Sequence, residues 1–181
     1  MAHRGEARES SQFMTCEHET VTVDAPLALH RGLIRPEWID YNGHMNVAFY
    51  VLVFDHGTDA FLDYLGMDQG YRSDTGFTTY VLETHVTYHR ELREGDPFQL
   101  KTQLLDFDAK RLHYFQSMYH AEAGFLAAAT EIMLMHIDSR GPRAAPMPAA
   151  VLARVEAVMA AHRALPRPPQ VGRVIGIRRA R

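Results

Sequence analysis

The 181-residue chain has the usual length of a single domain and is long enough to bury a sizeable core. A formal net charge of −3 argues against nucleic-acid binding, and no apolar run is long enough to predict a membrane span. The single cysteine, Cys16, excludes a disulfide within the chain and cysteine-based metal sites. Because the N-terminus also lacks the apolar stretch of a secretory signal, the sequence predicts a cytoplasmic protein.

The chain divides into three predicted parts. Residues 1–19 are expected to be a flexible polar leader, and residues 20–140 a single compact domain. Residues 141–181 are expected to form a proline-containing linker, a C-terminal helix and a solvated basic tail. Within the domain, Thr20–Arg35 is predicted to be extended, with an interruption at residues 24–26.

One long helix is the strongest local prediction. Residues 40–43 (Asp-Tyr-Asn-Gly) form a turn signal, and Asn46 can cap a helix that runs from about 47 to 65 and ends before Gly66. Gly57 either weakens this helix or marks a close contact. Apolar side chains recur at three- and four-residue steps and predict one buried stripe: Val47, Tyr50, Val51, Phe54, Thr58, Phe61, Leu62 and Leu65.

A loop over Met67–Gly76 and then a series of strands are predicted after the helix. The breaks between the strands are short and polar or contain glycine, which favours hairpins and an antiparallel meander packed on the helix. The predicted strands are Phe77–Arg90, Pro97–Phe107, Arg111–Ala121 and Phe125–Asp138.

Two alanine-rich stretches lie near the end of the chain. Ala127–Met135 has helical propensity, but we assign it to a strand because the sheet needs a partner there and small residues suit a tightly packed centre. Ala149–Leu165 is predicted to be a helix that Pro166 terminates.

Metal binding is not predicted, although the chain has 11 histidines. His85 and His89 lie in a stretch rich in β-branched and aromatic residues, which favours a strand. Residues four apart in a strand are about 13 Å apart, too far to share one metal ion.

Asp40 and the start of the long helix are the candidate chemical centre. A helix N-terminus presents free N–H groups and partial positive charge, which stabilise an oxyanion. A nearby carboxylate can attack a carbonyl or activate a water, and Gly43 allows close approach. The alternative is that Asp40 only stabilises the turn, that Asn46 is only a cap, and that His44 is structural.

The motif Asp40-x-x-Gly43-His44-x-Asn46-x-Ala48-x-Tyr50 resembles the signature of the 4-hydroxybenzoyl-CoA thioesterase branch of the hotdog superfamily. The element order extends this resemblance to about residues 28–138. It implies an α+β hotdog fold, in which an antiparallel β-sheet wraps around one long central α-helix, here with an added C-terminal helix. The chain departs from the pattern at Trp38, where an aspartate is often found.

The resemblance implies that Asp40 is the catalytic nucleophile or general base and that the backbone N–H near Val47 binds the thioester oxygen. The turn and helix start are then shaped by Asn42, Gly43, His44 and Asn46. It also implies a homodimer with sheets joined edge to edge and active sites at the interface, or a homotetramer. No cofactor is implied, since coenzyme A is part of the substrate.

Three further segments, Tyr80–Val86, Asp108–Phe115 and Met133–Asp138, resemble betainyl-CoA thioesterases of carnitine breakdown, which are sometimes fused to carnitine dehydrogenase. Their substrate carries a quaternary ammonium group, which favours a pocket of aromatic faces and a carboxylate. The aromatic candidates, each of which could instead be a core residue, are Trp38, Tyr41, Phe49, Tyr50, Phe77, Tyr80 and Tyr88.

Charged side chains supply further candidates. Glu83 lies in an otherwise apolar strand and could contact the cationic group, orient a water or bond to His85 or His113. Strand alternation that points it to solvent is equally compatible with the sequence. The CoA phosphates require cations, for which the candidates are Arg90, Lys110 and Arg111, unless these are ordinary surface charges.

Two other functions remain open. One is an enoyl-CoA hydratase of the same fold, whose motif has four residues between aspartate and histidine. Here three residues separate Asp40 from His44, which favours the resemblance to thioesterases. A non-catalytic CoA-ester binding protein would not need a carboxylate at position 40, and the fold alone does not decide between these functions.

Overall fold

The computed structural model describes residues 23–177, so the predicted leader, Cys16 and the arginines at 178, 179 and 181 lie outside the described residues. The described chain forms one antiparallel sheet and three α-helices, with a short 3-10 turn at Pro36–Trp38. In chain order the elements are β1 (Leu27–Leu33), α1 (Val47–Leu65), α2 (Gln69–Thr75), β2 (Phe77–Tyr88), β3 (Pro97–Phe107), β4 (Arg111–His120), β5 (Leu126–Asp138), β6 (Arg143–Ala144) and α3 (Ala149–His162).

The predicted long helix and its ends are confirmed. Helix α1 begins after Asn46, whose side chain accepts a hydrogen bond of 3.0 Å from the N–H of Ala48. It ends at Gly66, which has the left-handed backbone (φ 81°) that suits glycine. The predicted buried stripe is wrong at Val47 and Val51, which are exposed. The buried face carries Tyr50, Val53, Phe54, Gly57, Thr58, Phe61, Leu62 and Leu65.

The strands run in the order β1-β3-β4-β5-β2, so the predicted meander is correct for β3, β4 and β5 but wrong for β2. Strand β2 pairs with β5 at the far edge of the sheet. The break after β2 is therefore a crossover connection, residues 89–96, rather than a hairpin. Leu92 within it is fully buried beside the start of α1, which draws the connection across the end of the sheet.

Three local predictions meet different outcomes. The loop predicted at 67–76 is wrong, since it contains α2, whose N-cap Asp68 accepts from the N–H of Tyr71 at 2.7 Å. The strand predicted at Ala127–Met135 is confirmed as part of β5. The C-terminal helix is confirmed but ends at His162, before the predicted end at Leu165.

The face of the sheet that packs on α1, here called the inner face, lies close to the helix at Gly57. A Cβ atom there would overlap the side chain of Leu100 and lie 3.1 Å from Nε2 of Gln116. At the next residue of α1, the Thr58 hydroxyl lies 2.8 Å from the Tyr114 hydroxyl, and burial raises the pKa of Tyr114. The sheet thus wraps around a central helix, as predicted.

The residues after α3, 163–177, form a C-terminal strap over the opposite, outer face of the sheet. Gln103 donates to the carbonyl of Pro166 at 3.3 Å, and the N–H of Gly172 donates to Glu131 at 2.7 Å. At the root of the strap, His162 Nδ1 accepts from the N–H of Leu104 at 2.9 Å, and burial lowers its pKa. The strap thereby covers part of a sheet face that would otherwise meet water.

Within residues 23–177 no helix is long and apolar enough to cross a membrane. In the same part of the chain, no group of three or more His, Cys, Asp or Glu side chains is arranged to hold a metal ion.

We expect Gly57→Ala to lower the free energy of unfolding by about 1 kcal/mol. Overpacking against Leu100 and Gln116 costs about 1–3 kcal/mol, and the better helix propensity of alanine returns about 1 kcal/mol. Urea unfolding measures the change. The control is Gly141→Ala, where an added Cβ meets no atom within 4 Å. A Gly57→Ala protein as stable as wild type would contradict the close approach.

Candidate active site

A cavity of about 390 Å³ lies where the turn before α1, the start of α1, the end of β2 and the crossover connection meet. It brings the predicted carboxylate and the predicted helix N-terminus to one place. Its lining residues are Asp40, His44, Met45, Val47, Tyr50, Tyr88, His89, Arg90 and Glu91.

The turn fixes the orientation of Asp40. Its N–H donates to the carbonyl of His44, and the N–H of Gly43 donates to the carbonyl of Asp40, both at 3.0 Å. Gly43 has a φ of 76°, a conformation that residues with side chains rarely adopt. Oδ1 of Asp40 accepts from the N–H of Asn42 at 2.8 Å, so the carboxylate does stabilise the turn. Among residues 23–177, Oδ2 has no hydrogen-bonding or ionic partner, which leaves it for a ligand.

The first residue of α1, Val47, lines this cavity. Asn46 uses its side chain to cap Ala48 and its carbonyl to accept from the N–H of Phe49 at 3.0 Å. The N–H of Val47 has no partner within the described part of the chain, and Val47 is 56% exposed. An unpaired donor at the positive end of a helix dipole is suited to bind a developing oxyanion.

Leu92 anchors the crossover connection beside α1. Its N–H donates to the Tyr50 hydroxyl at 3.1 Å, and its carbonyl accepts from the N–H of Met45 at 2.8 Å. The three preceding residues, 89–91, consequently line the cavity. Burial raises the pKa of the Tyr50 phenol, and the nearby carboxylate of Glu91 adds to this shift.

Of the aromatic candidates, Tyr50 and Tyr88 line the cavity. Their rings meet edge to face with centroids 5.4 Å apart. Trp38 and Phe49 instead stack on each other at 5.9 Å, and Tyr41 is 96% exposed.

The remaining candidates for acyl-group binding lie elsewhere in the chain. Tyr80 is half exposed on the edge strand β2, and Phe77 packs on His136 with centroids 5.0 Å apart. Glu83 lines a separate cavity of about 330 Å³ together with His113 and the strap. One chain alone therefore does not bring these three residues to Asp40.

The three candidate contacts for CoA phosphate lie in two different places. Arg90 lines the Asp40 cavity, with its guanidinium 4.0 Å from the centroid of the Phe125 ring. Arg111 is paired with Asp108 at 2.6 Å in the β3–β4 turn, and Lys110 lies beside it.

Sequence reasoning did not single out Met45, His89 and Glu91 as cavity residues. A lone leucine, Leu92, in an otherwise charged break was a signal that the break is anchored in the core. With that anchor recognised, the residues just before it become candidates for the cavity lining.

Comparisons with known proteins point to one superfamily. Residues 34–155 match the model of the thioesterase-like superfamily. A betainyl-CoA thioesterase of Pseudomonas aeruginosa is 47% identical over 151 residues, which are 83% of this chain and 95% of that protein. An L-carnitine dehydrogenase/betainyl-CoA thioesterase of a Rhizobium species is 36% identical over 155 residues, 86% of this chain but 31% of that longer protein.

A solved structure is similar over almost the same range. A hypothetical protein from Staphylococcus aureus, determined in complex with CoA, superposes with a TM-score of 0.80 at 29% identity. The match covers 87% of this chain and 99% of that protein.

Proposed function

The chain belongs to the thioesterase-like superfamily, as its turn motif predicts, and we propose that it hydrolyses betainyl-CoA to glycine betaine and free CoA in the cytoplasm. It is an acyl-CoA thioesterase of the hotdog fold. The observation that carries the catalytic proposal is that Asp40 and Val47 line one cavity, and that the Oδ2 of Asp40 and the N–H of Val47 have no partner among residues 23–177. The 47% identity to a betainyl-CoA thioesterase over 95% of its length supports the choice of acyl group.

Catalysis begins with the thioester carbonyl at the start of α1. The Val47 N–H donates to the carbonyl oxygen, whose negative charge grows as the carbon becomes tetrahedral. Asp40 either attacks the carbon itself or takes a proton from a water that attacks it, and either attack gives a tetrahedral intermediate. The carbon–sulfur bond then breaks, and CoA leaves as a thiolate that takes up a proton. Attack by water yields the free acid at this step, whereas attack by Asp40 yields an anhydride that a water then cleaves.

Arg90 is the proposed contact for CoA phosphate within the chain, because it borders the Asp40 cavity while its guanidinium lies over the Phe125 ring, outside the cavity lining. The long pantetheine arm separates the phosphates from the thioester, so their contact belongs outside the cavity that holds Asp40. Lys110 and Arg111 lie in the β3–β4 turn, away from that cavity. We retain them as candidate phosphate contacts for the site of a neighbouring subunit.

The proposed assembly is a homodimer joined through β2. Among residues 23–177 this strand pairs with β5 on one side only, and it exposes the apolar Tyr80, Val81 and Leu82. We expect wild type to sediment as a dimer or tetramer at micromolar concentration, and Leu82→Lys to shift it toward monomer. The control is Leu33→Lys on the opposite edge strand, where Leu33 is 61% exposed. A monomeric wild type, or equal effects of the two substitutions, would contradict this interface.

Asp40→Asn should lower kcat/KM by about 100-fold or more, because the amide neither attacks the thioester nor accepts a proton from water. Free-thiol release from betainyl-, acetyl-, butyryl- and 4-hydroxybenzoyl-CoA measures this, with betainyl-CoA expected to be the best substrate. A neutral ester preferred over betainyl-CoA would remove the proposed acyl group but not the thioesterase activity. Tight ester binding without turnover by wild type would favour the binding-protein alternative.

Val47→Pro removes the N–H proposed to bind the oxyanion. Proline is tolerated at the first helical position, and Asn46 already has the extended backbone (ψ 144°) that precedes proline. We expect kcat to fall by about 10²–10³-fold with little change in thermal stability. Val47→Ala retains the N–H and serves as the control. Equal activities of the two variants would show that this N–H does not take part.

A further inference from the structure

The proposed substrate places a strict demand on the site, since a single methylene separates its quaternary ammonium from the thioester carbonyl. Any group that recognises the positive charge must therefore line the cavity that holds Asp40 and Val47. Within one chain, Glu83 and Tyr80 do not meet this demand, and Trp38 uses its ring to stack on Phe49.

We propose that Glu91 and the ring of Tyr88 form the subsite for the quaternary ammonium group and set the preference for cationic over neutral acyl groups. The inference rests on the proposed function and assigns its specificity to two residues at the cavity wall. An aromatic ring attracts a quaternary ammonium through its negative face, and a carboxylate supplies full charge without needing an N–H donor from the ligand.

The Tyr88 ring is held in place but still accessible. One side meets the Tyr50 ring edge to face at 5.4 Å, while 48% of the residue remains exposed. Tyr50 is itself fixed, because it is buried and its hydroxyl accepts from the N–H of Leu92. A ring fixed before the ligand arrives loses little conformational entropy on binding.

Glu91 directly precedes the anchored Leu92, so its backbone position is set by the same contacts. A hydrogen bond from its own backbone N–H, followed by the nearby charges of His44, Arg93 and Arg90, holds the pKa of its carboxyl below the usual value. The side chain is therefore a carboxylate at neutral pH.

The other ionisable groups of the cavity leave this assignment intact. Asp40 adds negative charge near the carbonyl, which also favours a cationic acyl group. Arg90, the fixed cation of the lining, lies over the ring of Phe125, which is not a lining residue. His44 and His89 complete the set.

The test compares betainyl-CoA with 3,3-dimethylbutanoyl-CoA, in which a carbon replaces the nitrogen and the charge is lost at nearly the same shape. At pH 8 we expect Glu91→Gln to lower kcat/KM for betainyl-CoA by about tenfold or more and to leave the neutral ester within about twofold. The matched control is Glu94→Gln, an exposed glutamate of the same connection that does not line the cavity. It should change neither value.

Tyr88 is tested with two substitutions. Tyr88→Leu removes the ring and should produce the same selective loss, whereas Tyr88→Phe keeps the ring and should retain the preference for betainyl-CoA. Equal losses on both esters, or no loss on either, would overturn the subsite. Failure of wild type to hydrolyse betainyl-CoA would instead overturn the proposed function, so the two failures are distinguishable.

Discussion

Helix α1 can lie on the middle of the sheet because residue 57 has no side chain. At that point the space a methyl group would need is filled by Leu100 and Gln116 from two neighbouring strands. The close approach lets Thr58 reach the Tyr114 hydroxyl and lets Phe61 pack on its ring at 5.2 Å. With the middle of the helix fixed in this way, its first turn is fixed at the end of the sheet.

The crossover connection depends on that first turn. Strand β2 lies at one edge of the sheet and β3 lies three strands away, so the chain must travel across the sheet end between them. It does so with Leu92 buried beside α1 and with both backbone groups of Leu92 bonded to residues of the helix start. The connection that links β2 to β3 across the sheet end therefore also forms one wall of the candidate active site.

Local signals in the sequence were sufficient for α1, for its Asn46 and Gly66 ends and for the turn at Asp40, because each depends on neighbours within four residues. The partner of β2 depends on long-range packing, which hairpin-like breaks do not encode. Long-range packing also decides that Glu91, and not Glu83, lines the cavity with Asp40. The β2–β5 register shifts between Val81 and Glu83, so counting alternate residues along the strand does not give the face on which Glu83 lies.

The arrangement of residues 89–92 has an evolutionary consequence. The anchoring contacts belong to Leu92, whereas the side chains at 90 and 91 are exposed and contribute little to the core. Substitutions there cost little stability, and they leave the turn at Asp40 and the helix N-terminus untouched. A lineage can therefore replace the acyl group that it selects while inheriting the hydrolytic machinery unchanged, and sister enzymes with different substrates should diverge first at position 91.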